Sequence, residues 1–149
     1  MSKLSAAALD QLFLSARTHN KWQDKDVPDS LLRELANTLK MGPTSANCSP
    51  ARLIFVKTRA AKERLRPHLS AGNTAKTMAA PATAIIGYDT EFYEKLPKLF
   101  PHEPDARGWF AGKPAVIEAT AFRNSSLVVI VSCRSAGTVG CAFARTKIW

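Results

Sequence analysis

The spacing of apolar residues predicts two helices in the first 43 residues. The first helix is predicted to begin after a Ser5 cap and to end near Thr18, with four apolar residues on one face: Leu9, Leu12, Phe13 and Ala16. Pro28 and Asp29 begin the second, which Gly42 and Pro43 terminate. Its inward face is predicted to carry four leucines: Leu31, Leu32, Leu35 and Leu39.

Two strands and a further helix are predicted in the middle of the chain. "RLIFVK" (52–57) is a short strand, and Thr58 can cap a helix that reaches Pro67. "ATAIIGYD" (82–89) is almost continuously apolar, so we expect a strand buried on both faces. Prolines then break residues 91–112 into a loop or short helices.

From Pro114, "AVIEATAFRNSSL" predicts a largely buried helix, with four residues at helical spacing: Val116, Ala119, Thr120 and Phe122. Helices and strands therefore alternate along the chain. This order is typical of an α/β or α+β fold.

The length and amino-acid composition of the chain are typical of one globular domain. The chain has 149 residues, of which 46% are hydrophobic and 22% charged. Its apolar runs are shorter than the roughly 20 residues that cross a bilayer. The first residues lack the cleavage site of a secretory signal. We therefore expect a cytoplasmic protein that does not bind membranes.

The number of cysteines and the net charge limit the kinds of ligand and partner that the sequence predicts. The three cysteines match no metal-ligand spacing, so neither a metal site nor a disulfide framework is predicted. A net charge of +9 makes nucleic-acid binding an alternative hypothesis, but no nucleic-acid-binding motif accompanies the charge, so we expect no nucleic-acid partner. A phosphate-bearing small molecule accounts equally well for some of this excess.

The stretch "MGPTSANCSPARLIFVK" (41–57) places hydroxyl and amide side chains in one turn before a strand. Such side chains bond to the backbone of their own turn and leave other polar groups for a ligand. The turn is thus a candidate binding site. The alternative is that Thr44, Ser45 and Asn47 only close a loop between a helix and a strand.

A second candidate follows the first helix. Arg17, His19 and Lys21 occupy alternate positions, so an extended chain would project all three to one side. A guanidinium fork beside an ammonium group suits a terminal phosphate. The alternative is a solvated basic segment without a ligand.

The chain resembles the nitroreductase family of FMN-dependent oxidoreductases at two motifs. These are "RTHNK" (17–21) and, later in the chain as in the family, "PTSANCSP" (43–50). From Leu4 to Leu127 the chain is most similar to the malonic semialdehyde reductases, or 3-hydroxypropanoate dehydrogenases, of pyrimidine breakdown. The resemblance implies an α+β, nitroreductase-like three-layer sandwich. Its C-terminal part is expected to be incomplete here.

The resemblance also implies a cofactor site. Arg17, Thr18, His19 and Lys21 match the segment that binds the FMN phosphate. The turn against the flavin ring is matched by Pro43, Thr44, Ser45 and Asn47. The cofactors are then FMN and, as co-substrate, NADPH or NADH. A homodimer is implied, because the FMN sites of the family lie across the subunit interface.

The implied reaction is reduction of malonic semialdehyde or of another aldehyde, nitro or quinone acceptor. No residue is assigned as the proton donor; His68 and His102 remain unassigned. Cys48 is interpreted as a small buried thiol rather than a nucleophile. Trp109 and Phe110 could wall a substrate pocket or pack in the core.

The resemblance ends at Leu127, which suggests a division into residues 1–127 and a divergent tail, 128–149. The tail carries three cations and no acidic residue. The codons for Thr138 to Gly140 permit Asp-Cys-Gly in a shifted frame, which is the family's sequence near the flavin. A frameshift is therefore one interpretation. The alternative function is a truncated, inactive relative that acts at most as a binding or dimerising module.

Overall fold

A computed structural model of the chain describes residues 3–15, 17 and 19–135. Helix α1 spans Ala6–Leu9, and the Ser5 hydroxyl accepts the Ala8 N–H at 3.2 Å, which confirms the predicted cap. The helix then widens into a π turn over Asp10–Leu14 and ends before Thr18. Of the four residues predicted to share an apolar face, Leu12 is half-buried and Ala16 lies outside the described residues. Leu9 and Phe13 are exposed.

Helix α2 spans Asp29–Leu39 and follows Pro28 as predicted. Leu32 and Leu39 are buried, whereas Leu31 is exposed, so the predicted inward face was too wide. The chain leaves the helix through a hydrogen bond from the Gly42 N–H to the Leu39 carbonyl, 3.0 Å long. The following turn precedes the first strand.

The sheet consists of two antiparallel strands in the described part of the chain. Strand β1 (Ala51–Val56) pairs with β2 (Thr83–Tyr88), with Ala51 opposite Tyr88 and Val56 opposite Thr83. Both strands were predicted. The expected burial of β2 on both faces is wrong, because Gly87 alone is fully buried and its neighbours are half-buried.

Two helices connect the strands. Helix α3 covers Arg59–Leu65 and is extended by a single 3₁₀ turn at Arg66–His68. Helix α4 covers Ala71–Ala79. The Thr58 hydroxyl accepts the Ala61 N–H at 3.2 Å and confirms the predicted cap of α3.

Two of the largest fully buried side chains, Phe92 and Leu96, come from the proline-rich segment. It forms 3₁₀ turns at Phe92–Lys95 and Pro104–Trp109 around the short helix α5, Leu96–Leu99. These pack with residues of the 43–49 turn and the last helix to form a core of Cys48, Phe92, Leu96, Ala106, Phe110 and Ala121. Phe110 is thus a core residue, whereas Trp109 is exposed.

Helix α6 runs from Pro114 to Ser135 without a break at Leu127. It packs against the sheet, where the Glu118 carboxylate accepts the Tyr88 hydroxyl at 2.6 Å. The prediction of a largely buried helix is wrong for Val116 and Phe122, which are exposed. Residues 136–149 lie outside the described residues, and the division at Leu127 stays a prediction.

The alternation of helices with an antiparallel pair of strands confirms the α+β class. Among the described residues, no helix is long and apolar enough to cross a membrane. The same part of the chain contains no group of three or more residues suited to hold a metal ion.

Candidate functional site

The turn between α2 and β1 has an unusual backbone. Residues Ser45–Asn47 form a single 3₁₀ turn in which Ala46 lies at φ 50° and ψ 32°. Asn47 and Ser49 also have positive φ, at 50° and 37°. Asparagine tolerates this region, but each non-glycine residue there costs roughly 1–2 kcal/mol. Such a turn persists only where the surrounding structure fixes it.

Internal hydrogen bonds close the turn. The Ser49 N–H donates to the Thr44 hydroxyl at 3.1 Å, and the Asn47 N–H donates to the Thr44 carbonyl at 3.0 Å. The prediction that these side chains bond to the backbone of their own turn is confirmed for Thr44.

Two long-range bonds then fix the turn to the rest of the fold. Asn47 Nδ2 donates to the Leu99 carbonyl at the end of α5, 2.8 Å away. The Ser45 N–H donates to Asn124 Oδ1 on α6 at 2.9 Å. The sequence did not indicate either anchor, because the bonded residues are 52 and 79 positions apart.

Cys48 lies under the turn and is 1% exposed. Burial raises the pKa of its thiol, and a hydrogen bond to Thr44 only partly offsets that effect. A thiol in this state is a poor nucleophile at neutral pH. The interpretation of Cys48 as a buried structural residue is confirmed.

The polar groups of the turn that face solvent remain suited to a ligand. Pro43, Ser45 and Asn47 are exposed, and Thr44 is half-buried. Because Asn47 Nδ2 is bonded to Leu99, its Oδ1 is the atom left to accept a hydrogen bond. The turn therefore presents hydroxyls and an amide oxygen on a rigid support.

In the basic segment, residues 17–21, the described residues are more exposed than the turn. Arg17, His19 and Lys21 are all exposed, and Arg17 Nη1 donates to the Leu14 carbonyl at 2.8 Å. Thr18, the fourth predicted residue, lies outside the described residues. Lys21 borders an open cleft of about 790 Å³ between residues 20–26 and helix α4.

This cleft has a cationic lining. It contains Lys21, Lys25 and Lys76 against two aspartates, of which Asp26 also pairs with Lys57 at 3.7 Å. Trp22 Nε1 donates to the Lys76 carbonyl at 2.7 Å and holds the segment against α4. The cleft has the volume of a small-molecule site.

Lys21 is the predicted cofactor residue that lines this cleft. The turn is anchored to α5 and α6, whereas Lys21 borders α4, and none of the turn residues lines the cleft. Trp22 and Asn124 were not predicted as site residues. Asn124 lies among other polar residues of α6, beside Arg123 and Ser125, so the local sequence did not distinguish it.

Comparison with known proteins relates the chain to one family, although no protein-family model matches it. A Burkholderia lata protein, named as an NADH dehydrogenase/NAD(P)H nitroreductase, is 63% identical over 140 residues. This alignment covers 92% of the chain and 71% of the relative.

Solved structures share the fold at low sequence identity. One from Exiguobacterium sibiricum, named as a nitroreductase in complex with FMN, has a TM-score of 0.74 at 14% identity, over 90% of this chain and 73% of that one. A Staphylococcus epidermidis structure, named as an NAD(P)H:FMN oxidoreductase, has a TM-score of 0.72 at 19% identity, over 93% and 73%. The expected nitroreductase-like fold is confirmed. Given the 63% identity to the Burkholderia relative, the chain belongs to the nitroreductase family of enzymes.

Proposed function

We propose that this protein is an FMN-dependent NAD(P)H oxidoreductase. The relative with 63% identity is named for NAD(P)H-dependent reduction, and two proteins with the same fold are named for FMN. The observation that carries the proposal is the 43–49 turn, whose exposed polar groups are supported by anchors from α5 and α6.

The residues present fit the chemistry of FMN. Its phosphate is an anion, and Arg17 and Lys21 are exposed cations on one short segment. His19 would donate a further hydrogen bond to the phosphate. Thr18 belongs to the same proposed set.

The turn would bind the polar edge of the flavin ring. That edge alternates carbonyl oxygens with an N–H group. Asn47 Oδ1 can accept from the N–H, while the hydroxyls of Thr44 and Ser45 can donate to oxygens. Pro43 would limit the backbone conformations at the start of the turn.

Bound FMN supplies the hydride chemistry, accepting from a nicotinamide and donating to an oxidised substrate. The role of this chain is to bind and orient the ring and to neutralise the phosphate. Since none of the turn residues lines the cleft that Lys21 borders, we propose that a second copy completes each site. Exposed apolar residues, among them Phe13 and Phe122, provide surface for such a homodimer.

We further propose malonic semialdehyde as the acceptor, which would be reduced to 3-hydroxypropanoate while NAD(P)H is oxidised. The similarity of residues 4–127 to malonic semialdehyde reductases supports this choice. Nitro compounds, which the name of the Burkholderia relative suggests, and quinones are the competing acceptors. Product analysis with each acceptor separates these reactions.

The cofactor site is tested by equilibrium binding of FMN to the purified protein, followed by flavin fluorescence. Arg17→Ala and Asn47→Ala should each raise the FMN dissociation constant about tenfold, the effect of losing one charged or well-placed hydrogen bond. Arg33→Ala and Asn37→Ala, at exposed positions of α2, are matched controls and should leave affinity unchanged.

Two outcomes would contradict these assignments. If both site variants bind FMN like the wild type, the proposed residues are wrong. If the wild type binds no FMN, the alternative of an inactive binding or dimerising relative gains support.

A further inference from the structure

We propose that Asn124 is a positioning residue that holds the 43–49 turn in its ligand-binding conformation. The inference rests on the proposed function, because it deepens the account of that cofactor site. Asn124 would act through Ser45 and would not itself touch the cofactor.

The side-chain amide of Asn124 forms hydrogen bonds with both the turn and its own helix. Its Oδ1 accepts the Ser45 N–H at 2.9 Å, and its Nδ2 donates to the Thr120 carbonyl one helical turn earlier, at 2.8 Å. Nδ2 also lies 3.5 Å from the Ser45 hydroxyl. The bond to Thr120 fixes the side-chain amide, so that its oxygen faces the turn.

Burial strengthens the hydrogen bond between the Ser45 N–H and Asn124 Oδ1. Asn124 is 8% exposed, so water competes little for its amide oxygen. If the side chain is removed, the Ser45 N–H loses its partner at a partly buried position. The loss occurs at the beginning of the segment whose next residues, Ala46 and Asn47, have positive φ.

The strained backbone explains why one anchor matters. Ala46 and Ser49 gain nothing locally from the left-handed region and would leave it if the turn were released. The Leu99 anchor on Asn47 remains in such a variant, but the Ser45 end becomes free. Ser45 and Asn47 would then no longer keep the spacing that a rigid ring requires.

The experiment compares Asn124→Ala, Asn124→Asp and the neighbouring Ser125→Ala. Ser125 is a matched control, because it is also buried on α6 and its hydroxyl has no hydrogen-bond partner among the described residues. Two quantities are measured for each protein: the FMN dissociation constant and the hydrogen-exchange rates of the amides of Ser45 and of strand β1.

Asn124→Ala should raise the dissociation constant about tenfold. It should also accelerate exchange of the Ser45 amide while the β1 amides keep their protection. Ser125→Ala should change neither quantity. Unchanged Ser45 exchange, or unchanged FMN affinity despite faster exchange, would overturn the proposal.

In Asn124→Asp, we expect FMN affinity to be restored in acid, which a merely structural role of Asn124 would not produce. A protonated aspartic acid can accept from Ser45 and donate to Thr120, whereas the carboxylate cannot donate. Burial at this position should raise the pKa of the introduced carboxyl above its usual value of about 3.9, so the ratio of its dissociation constant to that of the wild type should fall between about pH 8 and about pH 4. A ratio that does not change with pH would contradict the two-sided contact.

Failure of the proposed function gives a different result. If the wild type binds no FMN, the cofactor assignment fails, and with it the role of Asn124 in binding. Faster Ser45 exchange in Asn124→Ala would still show that the anchor fixes the turn.

Discussion

Lys62 on α3 donates its Nζ to the carbonyl of Ala80, just beyond the end of α4, and Nζ is also 3.4 Å from the Met78 carbonyl. The lysine is 6% exposed. It therefore joins the two helices that connect the strands, and it partners carbonyls that the end of α4 leaves without helical donors. Burial lowers the pKa of Lys62 below its usual value of 10.5.

The burial of Lys62 should be visible when the free energies of unfolding of the wild type and of Lys62→Met are compared at several pH values. Between the folded pKa and 10.5, the unfolded chain binds more protons than the folded protein, so the free energy of unfolding rises with pH. The wild type should gain stability relative to Lys62→Met as the pH rises towards 10.5, by at most about 1.4 kcal/mol per pH unit. Urea denaturation at several pH values measures this difference.

Lys98→Met, at an exposed position of α5, is the control and should show no such trend relative to the wild type. A constant difference between wild type and Lys62→Met would contradict the buried state of Lys62.

Acid should weaken the contacts of Asp89 at the end of β2. Burial by itself raises the pKa of Asp89, but the Lys95 ammonium, the Glu91 N–H at 2.8 Å and the Arg52 charge outweigh it, and the pKa lies below its usual 3.8. The resulting stabilisation is complete above pH 3.8 and is lost as the pH falls through the folded pKa.

Asp89→Asn should therefore cost about 1–2 kcal/mol at neutral pH, since solvent screens the outer ends of Arg52 and Lys95. The cost should shrink in acid, as measured by urea denaturation. The exposed Asp105→Asn serves as control and should be nearly neutral throughout. An equal cost for Asp89→Asn in acid and at neutral pH would exclude an ionic origin.

Ala46→Gly should stabilise the protein. Glycine accepts the left-handed backbone of Ala46 without steric cost, which offsets its greater conformational entropy in the unfolded chain. We expect a gain of about 1 kcal/mol in the free energy of unfolding. Ala75→Gly, in the exposed interior of α4, should instead lose about 1 kcal/mol. Destabilisation of similar size in both variants would show that Ala46 is not strained.

Local signals in the sequence were sufficient for several features. Ser5 and Thr58 were predicted as caps from side-chain chemistry alone, and both accept the expected N–H. The strand positions also followed from composition. These features depend on residues within one turn of the chain, which a single sequence displays directly.

Features that depend on distant parts of the chain were not predictable in this way. Phe92 and Leu96 lie in a segment whose prolines hide any periodicity, yet they are completely buried. Conversely, Val116 and Phe122 have the expected helical spacing but lie outside the described core. The contact between Asn124 and Ser45 joins residues 79 positions apart. Only the fold brings such residues together.

The most direct test of the proposed FMN-dependent activity is an anaerobic absorbance titration of the purified protein, loaded with FMN and desalted, with NADPH and then NADH. We expect a flavin band that remains with the protein and is bleached by a stoichiometric amount of at least one nicotinamide. We also expect an aldehyde acceptor to restore the band as the alcohol forms. Retained flavin that neither nicotinamide bleaches would contradict an NAD(P)H oxidoreductase, and absence of retained flavin would contradict the proposed cofactor site.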